Sequence, residues 1–160
     1  MPEDNGRAGY LVGVDLGGTK ILGGVFDASL RLLGSTKVST KAQRGPEFVI
    51  ERIARCVQDT VDEVDLSLKD VRGIGVGAPG AVDGETGTVI FAPNLDWREV
   101  PLQQQLEKLI GLPVFVENDC NIAALGVYVA ELKSKPRHLL GIFIGTGITG
   151  GAALAKRMTK

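Results

Sequence analysis

Three clusters of residues in this sequence have the types and spacing to act on the phosphates of a nucleotide. Asp15-Leu16-Gly17-Gly18-Thr19-Lys20 sets a carboxylate, two glycines, a hydroxyl and an ammonium in one short run. Glycines let backbone N–H groups approach phosphate oxygens, and successive amides form an anion-binding nest. Thr19 can donate a hydroxyl hydrogen bond and Lys20 can neutralise phosphate charge. Asp15 cannot ligate phosphate, but it can hold Mg²⁺ or its waters. The second cluster, Gly145-Thr146-Gly147-Ile148-Thr149-Gly150-Gly151, repeats the strand-turn-strand form. Taken singly, each is also readable as a plain glycine-rich hairpin. Their recurrence favours a pair of phosphate loops. The first is neither a Walker A loop nor a dinucleotide fingerprint, because no helix follows its glycines.

The third cluster is Glu117-Asn118-Asp119, at the end of the apolar run Val114-Phe115-Val116. It puts a carboxylate where a strand gives way to a helix. Asp is a favoured N-cap, so Asp119 can be read as a cap alone. It can equally be read as a base, since a helix N-terminus favours the ionised carboxylate and phosphoryl transfer needs an acceptor for the attacking hydroxyl's proton. Asn118, with one acceptor and two donors, can orient a polyol. Two further segments carry little side-chain bulk or a polar group near a turn. Gly75 to Asp83 runs from a strand into Pro79-Gly80, where a sugar could approach the backbone. Pro93-Asn94-Leu95-Asp96-Trp97 follows, and its single tryptophan reads as a packing residue before a stacking one.

These residues need a frame. Tyr10 to Leu16, Ile21 to Asp27 and Leu30 to Ser39 read as strands joined by short links, which favours an antiparallel meander. Gly45-Pro46-Glu47 opens a helix in which Val49, Ile50, Ile53, Val57, Val61 and Val64 recur at helical spacing. Val71 to Ala78 is a strand, and Asp83 to Gly87 a hairpin turn with Thr88 to Phe91 returning. Pro101 begins a short helix that Gly111 ends and Pro113 prevents from continuing. Val114 to Glu117 is a strand. A helix then runs from Asn118-Asp119 to about Leu132, with Ile122, Ala123, Leu125 and Val129 on its inner face. Leu139 to Ile144 and Gly151 to Ala155 make a last hairpin. The order predicts a complete mixed-sheet α/β unit whose opening pair of strands is then repeated.

Composition narrows the classes. An apolar content of 44% in 160 residues supports a folded core and argues against wholesale disorder. A net charge of -1 with no dense basic block argues against nucleic acid as a partner. No apolar run is long enough for a transmembrane helix, and the stretch before Tyr10 lacks the apolar core of a signal peptide. Cys56, Cys120 and His138 cannot make a four-ligand zinc site or a disulfide scaffold. A cytoplasmic location is the expectation.

Taken together the segments resemble the ROK family (repressor, open reading frame, kinase), and its glucokinase-like members in particular. The resemblance rests on Asp15 to Lys20, Gly75 to Asp83, Pro93-Asn94-Leu95 with Trp97, Glu117-Asn118-Asp119-Cys120-Asn121 with Ala123-Ala124-Leu125-Gly126, and Gly145-Thr146-Gly147, all in family order. It implies an actin-like, hexokinase-like (ribonuclease H-like) ATPase fold, here a lobe with a mixed five-stranded sheet plus the first β-hairpin of a second lobe. It implies transfer of the γ-phosphoryl group of Mg-ATP to a hexose or amino-sugar hydroxyl. Asp119 matches the family's base and Asn118 a sugar-binding position, with Gly80 and Asn94 in segments near the sugar. Asp15, Gly17, Gly18, Thr19 and Lys20, with Gly145, Thr146 and Gly147, match its phosphate loops. The family's Glu-x-Gly-His segment and cysteine-rich zinc motif have no counterpart here, so no zinc is expected, and Val127 stands where many relatives have Glu. The expected organisation is a disordered stretch over 1–9, an N-terminal lobe over 10–132 and the start of a truncated second lobe over 138–160. The chain by itself is then expected to be weakly active or inactive. Two alternatives stand beside the kinase, a non-catalytic sugar-binding or regulatory remnant and an actin-like interaction module. The last hairpin, lacking the rest of its sheet, is expected to form oligomers, to swap, or to pack on the first lobe.

Overall fold

Runs of β-branched and apolar residues form Tyr10–Leu16 (β1), Lys20–Phe26 (β2) and Leu32–Ser39 (β3), an antiparallel meander. The computed structural model of the chain describes residues 9–133, 138–144 and 148–154; the expected disordered stretch falls almost wholly outside them. Val71–Ala78 (β4) pairs in parallel with β1, and Val114–Asn118 (β8) pairs in parallel with β4. The result is the mixed five-stranded sheet β3-β2-β1-β4-β8.

One face of this sheet is covered by Pro46–Asp62 (α1). Val49, Ile50, Ile53, Val57 and Val61 of α1 are buried against Val12, Val14, Leu16, Ile21 and Val25. Burial of each such side chain contributes roughly 1.5–3 kcal/mol. Pro46 starts the helix where its missing N–H is no loss, as the sequence predicts. Leu102–Ile110 (α2) packs beside α1 and β8, and Gly111 closes it at φ 74°. No helix among the described residues is long and apolar enough to cross a membrane.

A small antiparallel sheet joins Ala81–Asp83 (β5), Thr88–Ala92 (β6) and Trp97–Val100 (β7). Strand β7 is unforeseen by the sequence reading, since its outward residues Arg98 and Glu99 mask the apolar ends. Trp97 is fully buried and packs in the core, not against a ligand; its Nε1 has no hydrogen-bond partner among the described residues.

Asp119–Gly126 (α3) follows β8 and relaxes into a π-helical stretch over Val127–Glu131. Its expected inner face differs from the observed one. Cys120 and Ala124 are the buried positions, while Leu125 and Val129 are 52% and 41% exposed. Helical spacing marks an apolar stripe but not what lies opposite it. Here α3 leaves the sheet's end and presents only its Cys120–Ala124 edge to the core. His138–Ile144 (β9) and Ile148–Leu154 (β10) pair antiparallel and lie against α3. Packing on the first lobe was among the outcomes expected for this hairpin.

Candidate active site at the carboxyl ends of the parallel strands

Strands β1, β4 and β8 run in the same direction, so their carboxyl ends meet on one rim of the sheet. Ligands in open α/β sheets bind at that rim. Asp15 stands next to last on β1, opposite Gly77 of β4. Asp119 is the first residue of α3, directly after β8. A Cβ on Gly77 would lie 3.5 Å from the Asp119 Cα, so the small residue lets α3 start above β4. Asp15 and Asp119 line the same groove. Desolvation, and then the Asp119 charge, push the Asp15 carboxyl above its ordinary value. Two carboxylates thus face a common space at the sheet's end, with Asp15 still open to solvent.

The first glycine turn is tight and externally held. The Gly17 N–H donates to the Lys20 carbonyl at 2.9 Å, closing the turn between β1 and β2. Thr40, fully buried, donates its hydroxyl to the Gly17 carbonyl at 2.7 Å, and its N–H to the Thr19 carbonyl at 2.9 Å. Thr19 and Lys20 are exposed. Gly18 sits on Asn94: a Cβ there would stand 3.0 Å from the Asn94 carbonyl oxygen and 3.3 Å from its Cβ. The turn and the Pro93–Leu95 3₁₀ segment, which the sequence offers as separate pieces, are therefore neighbours.

The third cluster is built around Asn118. Its Oδ1 accepts from the N–H groups of Cys120 at 3.0 Å and Asn121 at 3.1 Å, so Asn118 caps α3. The capping role that the sequence allowed for Asp119 belongs to its neighbour. Asp119 accepts the adjacent Cys120 N–H on Oδ1 at 2.8 Å, and its carboxylate lines the groove. Asn118 Nδ2 donates to the Gly80 carbonyl at 2.8 Å. Gly80 has φ 89°, and a Cβ there would collide with the Phe91 carbonyl, so the Pro79-Gly80 corner requires glycine.

Two residues of this arrangement have no role in the sequence reading: Glu117, named there only as a member of the third cluster, and Thr40. Glu117 accepts from the Asn118 N–H at 2.7 Å and from Asn121 Nδ2 at 3.2 Å, bracing the start of α3. Its spacing of four from Asn121 was a readable signal. Thr40 gave none, because its partner Gly17 lies 23 positions away. The structure thus brings together Asp15, Asp119, Asn118 and Gly80, and separately Gly17, Gly18 and Asn94. Gly145, Thr146 and Gly147 lie outside the described residues; the strands flanking them pair up to Ile144 and Ile148. Among the described residues no cluster of three or more metal-ligating side chains forms.

Known proteins resemble the chain in sequence and in fold. The chain is 39% identical over 152 residues to a glucokinase of Streptomyces coelicolor, covering 95% of the chain and 46% of that protein. It superposes with a TM-score of 0.81 on the crystal structure of a ROK family glucokinase from Streptomyces griseus in complex with glucose and AMPPNP, at 40% identity over 92% of the chain and 45% of that structure. It is also 27% identical to a xylose repressor of Caldicellulosiruptor bescii, covering 96% of the chain and 39% of that protein. The chain therefore spans about half the length of the relatives it matches. The actin-like lobe, the carboxylates at its rim and a family match extending over residues 11–160 lead to one assignment: this chain belongs to the ROK family.

Proposed function

We propose that this chain forms the part of an ATP-dependent sugar kinase that carries the base and the first phosphate loop. The reaction is transfer of the ATP γ-phosphoryl group to a hexose hydroxyl. The observation that carries the reading is the position of Asp119. It opens α3 at the rim of the sheet, in a groove shared with Asp15, beside an Asn118 fixed to the Gly80 corner. In this reading the Asp119 carboxylate accepts the proton of the attacking hydroxyl. The Gly80 corner, Asn118 and Asn94 flank the sugar. Gly17, Gly18, Thr19 and Lys20 present amides, a hydroxyl and an ammonium to the phosphates, with Gly145, Thr146 and Gly147 as the opposing loop.

Mg²⁺ fits this site through Asp15, whose carboxyl is raised partly by the facing Asp119 charge, a repulsion that a cation relieves. Asp15 would hold the ion or its waters, and the ion would neutralise phosphate charge. The 10–132 segment is the lobe and 138–160 begins the next. Because the relatives are about twice as long, and positioning supplies most of phosphoryl-transfer catalysis, the chain by itself turns over slowly or not at all.

Coupled ADP release with a panel of hexoses and amino-sugars tests this. Sugar-dependent ADP release that Asp119→Asn abolishes supports the reading. Turnover that survives Asp119→Asn removes Asp119 as the base. A second reading, sugar binding without turnover in a regulatory protein, is favoured by the similarity to a xylose repressor along nearly the whole chain. Sugar binding measured calorimetrically, with no ADP released at any protein concentration, would favour it.

A further inference from the structure

The β5–β6 hairpin meets the start of α3 at two points. The first is the Gly80 carbonyl, which accepts from Asn118 Nδ2 at 2.8 Å. The second is Gly84, in the turn of the hairpin. Gly84 has no positive φ, so its backbone conformation does not call for glycine. A Cβ there would stand 3.0 Å from Glu117 Oε2, so glycine is what lets the turn rest on that carboxylate. The other oxygen, Oε1, accepts from the Asn118 N–H at 2.7 Å and from Asn121 Nδ2 at 3.2 Å. Half-buried Glu117 thus has the hairpin on one oxygen and the first turn of α3 on the other.

The hairpin is held firmly enough to act as a reference. Asp83 Oδ1 accepts the Glu85 N–H and its Oδ2 the Thr86 hydroxyl, each at 2.9 Å. The Asp83 carbonyl accepts the Gly87 N–H at 2.8 Å. The Gly87 carbonyl in turn accepts the Gln103 N–H at 3.2 Å, which ties the turn to α2. Strand β8, by contrast, is the edge of the five-stranded sheet, so no further strand among the described residues steadies its end. A single contact would leave α3 free to pivot about the Asn118–Gly80 bond. A second contact, one residue back, removes that freedom.

We propose that Glu117 is a positioning residue for Asp119: its carboxylate is the second point at which the hairpin fixes the direction in which α3 leaves β8. The Gly80 corner and the Asp119 carboxylate are then held in one register. That register matters, because misplacing a reacting group by about 1 Å can cost on the order of a hundredfold in rate. The use of Asp119 as a base rests on the function proposed above; its being held by Glu117 does not.

The test uses the chain itself and needs no turnover, so its outcome is separate from that of the Asp119→Asn assay. Three-bond NMR couplings to the side-chain carbonyl and carboxyl carbons report the χ1 rotamers of Asn118 and Asp119. In the wild-type chain each should hold one rotamer. Glu117→Ala should average Asp119 over several rotamers. It should also speed exchange of the Cys120 and Asn121 amides about tenfold, the worth of one hydrogen bond to a charged group, and leave the Gly17 amide unchanged. Glu117→Gln keeps an acceptor for both N–H groups and should restore the single rotamer and the slow exchange. Gly84→Ala presses on the Glu117 carboxylate and should shift the signals of Asp119 and of the Asn121 side-chain amide, on the far side of Glu117. Glu85→Ala, an exposed neighbour in the same turn, should shift neither. A single Asp119 rotamer in Glu117→Ala overturns the proposal, as does a Glu117→Gln chain that behaves like Glu117→Ala. A Gly84→Ala chain perturbed only within its own turn overturns it too. Should Glu117→Ala fail to fold, Glu117→Gln and Gly84→Ala decide.

Discussion

Asn118 commits most of its polar capacity to structure. Its oxygen caps α3 twice and one amide hydrogen holds the Gly80 carbonyl, so a single N–H is left for a ligand. Asn118→Ala should cost about 1–2 kcal/mol in urea unfolding, the worth of an N-cap plus one further bond. Asn118→Asp should recover most of the cap while losing the Gly80 bond. Asp15 makes the opposite trade. Its carboxyl is raised by burial and by Asp119, so the folded state holds this proton more tightly than the unfolded state does. The ionised form is therefore penalised on folding. Stability falls as pH rises from the unfolded value of 3.8 through the raised folded value, and the penalty is complete above it. Asp15→Asn should raise the melting temperature at pH 7. That gain should shrink as pH falls through the raised folded value toward 3.8 and be absent below it, which parallel thermal scans at pH 7 and pH 3 would show. Stabilisation by removal of a charged group is what a site residue, as opposed to a structural one, should give.

At the scale of elements, the β1–β2 turn depends on a residue from the far end of β3. Thr40→Val keeps the shape but leaves the Gly17 carbonyl without its hydroxyl donor. It should destabilise by ~1 kcal/mol, the worth of a hydrogen bond to a half-buried acceptor, read by urea unfolding. Nucleotide binding should weaken with it, since the turn amides lose their brace. The elements differ in how far the sequence revealed them. Helix α1 was legible because one stripe, Val49 to Val61, faces one surface. The parallel strands β4 and β8 were legible as apolar runs bounded by turns. The burial of α3 was not, because its stripe is divided among the core, the groove and the β9–β10 hairpin. Strand β7 escaped because only its two end residues are buried, which leaves no alternation to read.

For the whole molecule, the open surfaces decide behaviour. Leu140 and Ile142 of β9 are 71% and 66% exposed, in a hairpin paired with no further strand among the described residues. Such edges and apolar surfaces recruit other chains. We expect the isolated chain to self-associate through this hairpin, and Leu140→Lys to shift it toward monomer in multi-angle light scattering. An unchanged mass would place the contact elsewhere.

The sequence by itself determined the lineage and the strand order of the meander, and it offered the residues proposed to hold phosphate or take a proton. Those properties are local: glycine at a turn, a carboxylate at a strand end, apolar spacing along a helix. Only the tertiary structure decided that Asn118 and not Asp119 caps α3, that Thr40 braces the first glycine turn, and that Gly18 rests on Asn94. It also decided that Gly84 of the β5–β6 turn rests on Glu117. Each of these depends on strand register and on contacts between residues distant in the chain. Register is fixed by which faces are buried against α1, a property of the assembled sheet that no single segment contains.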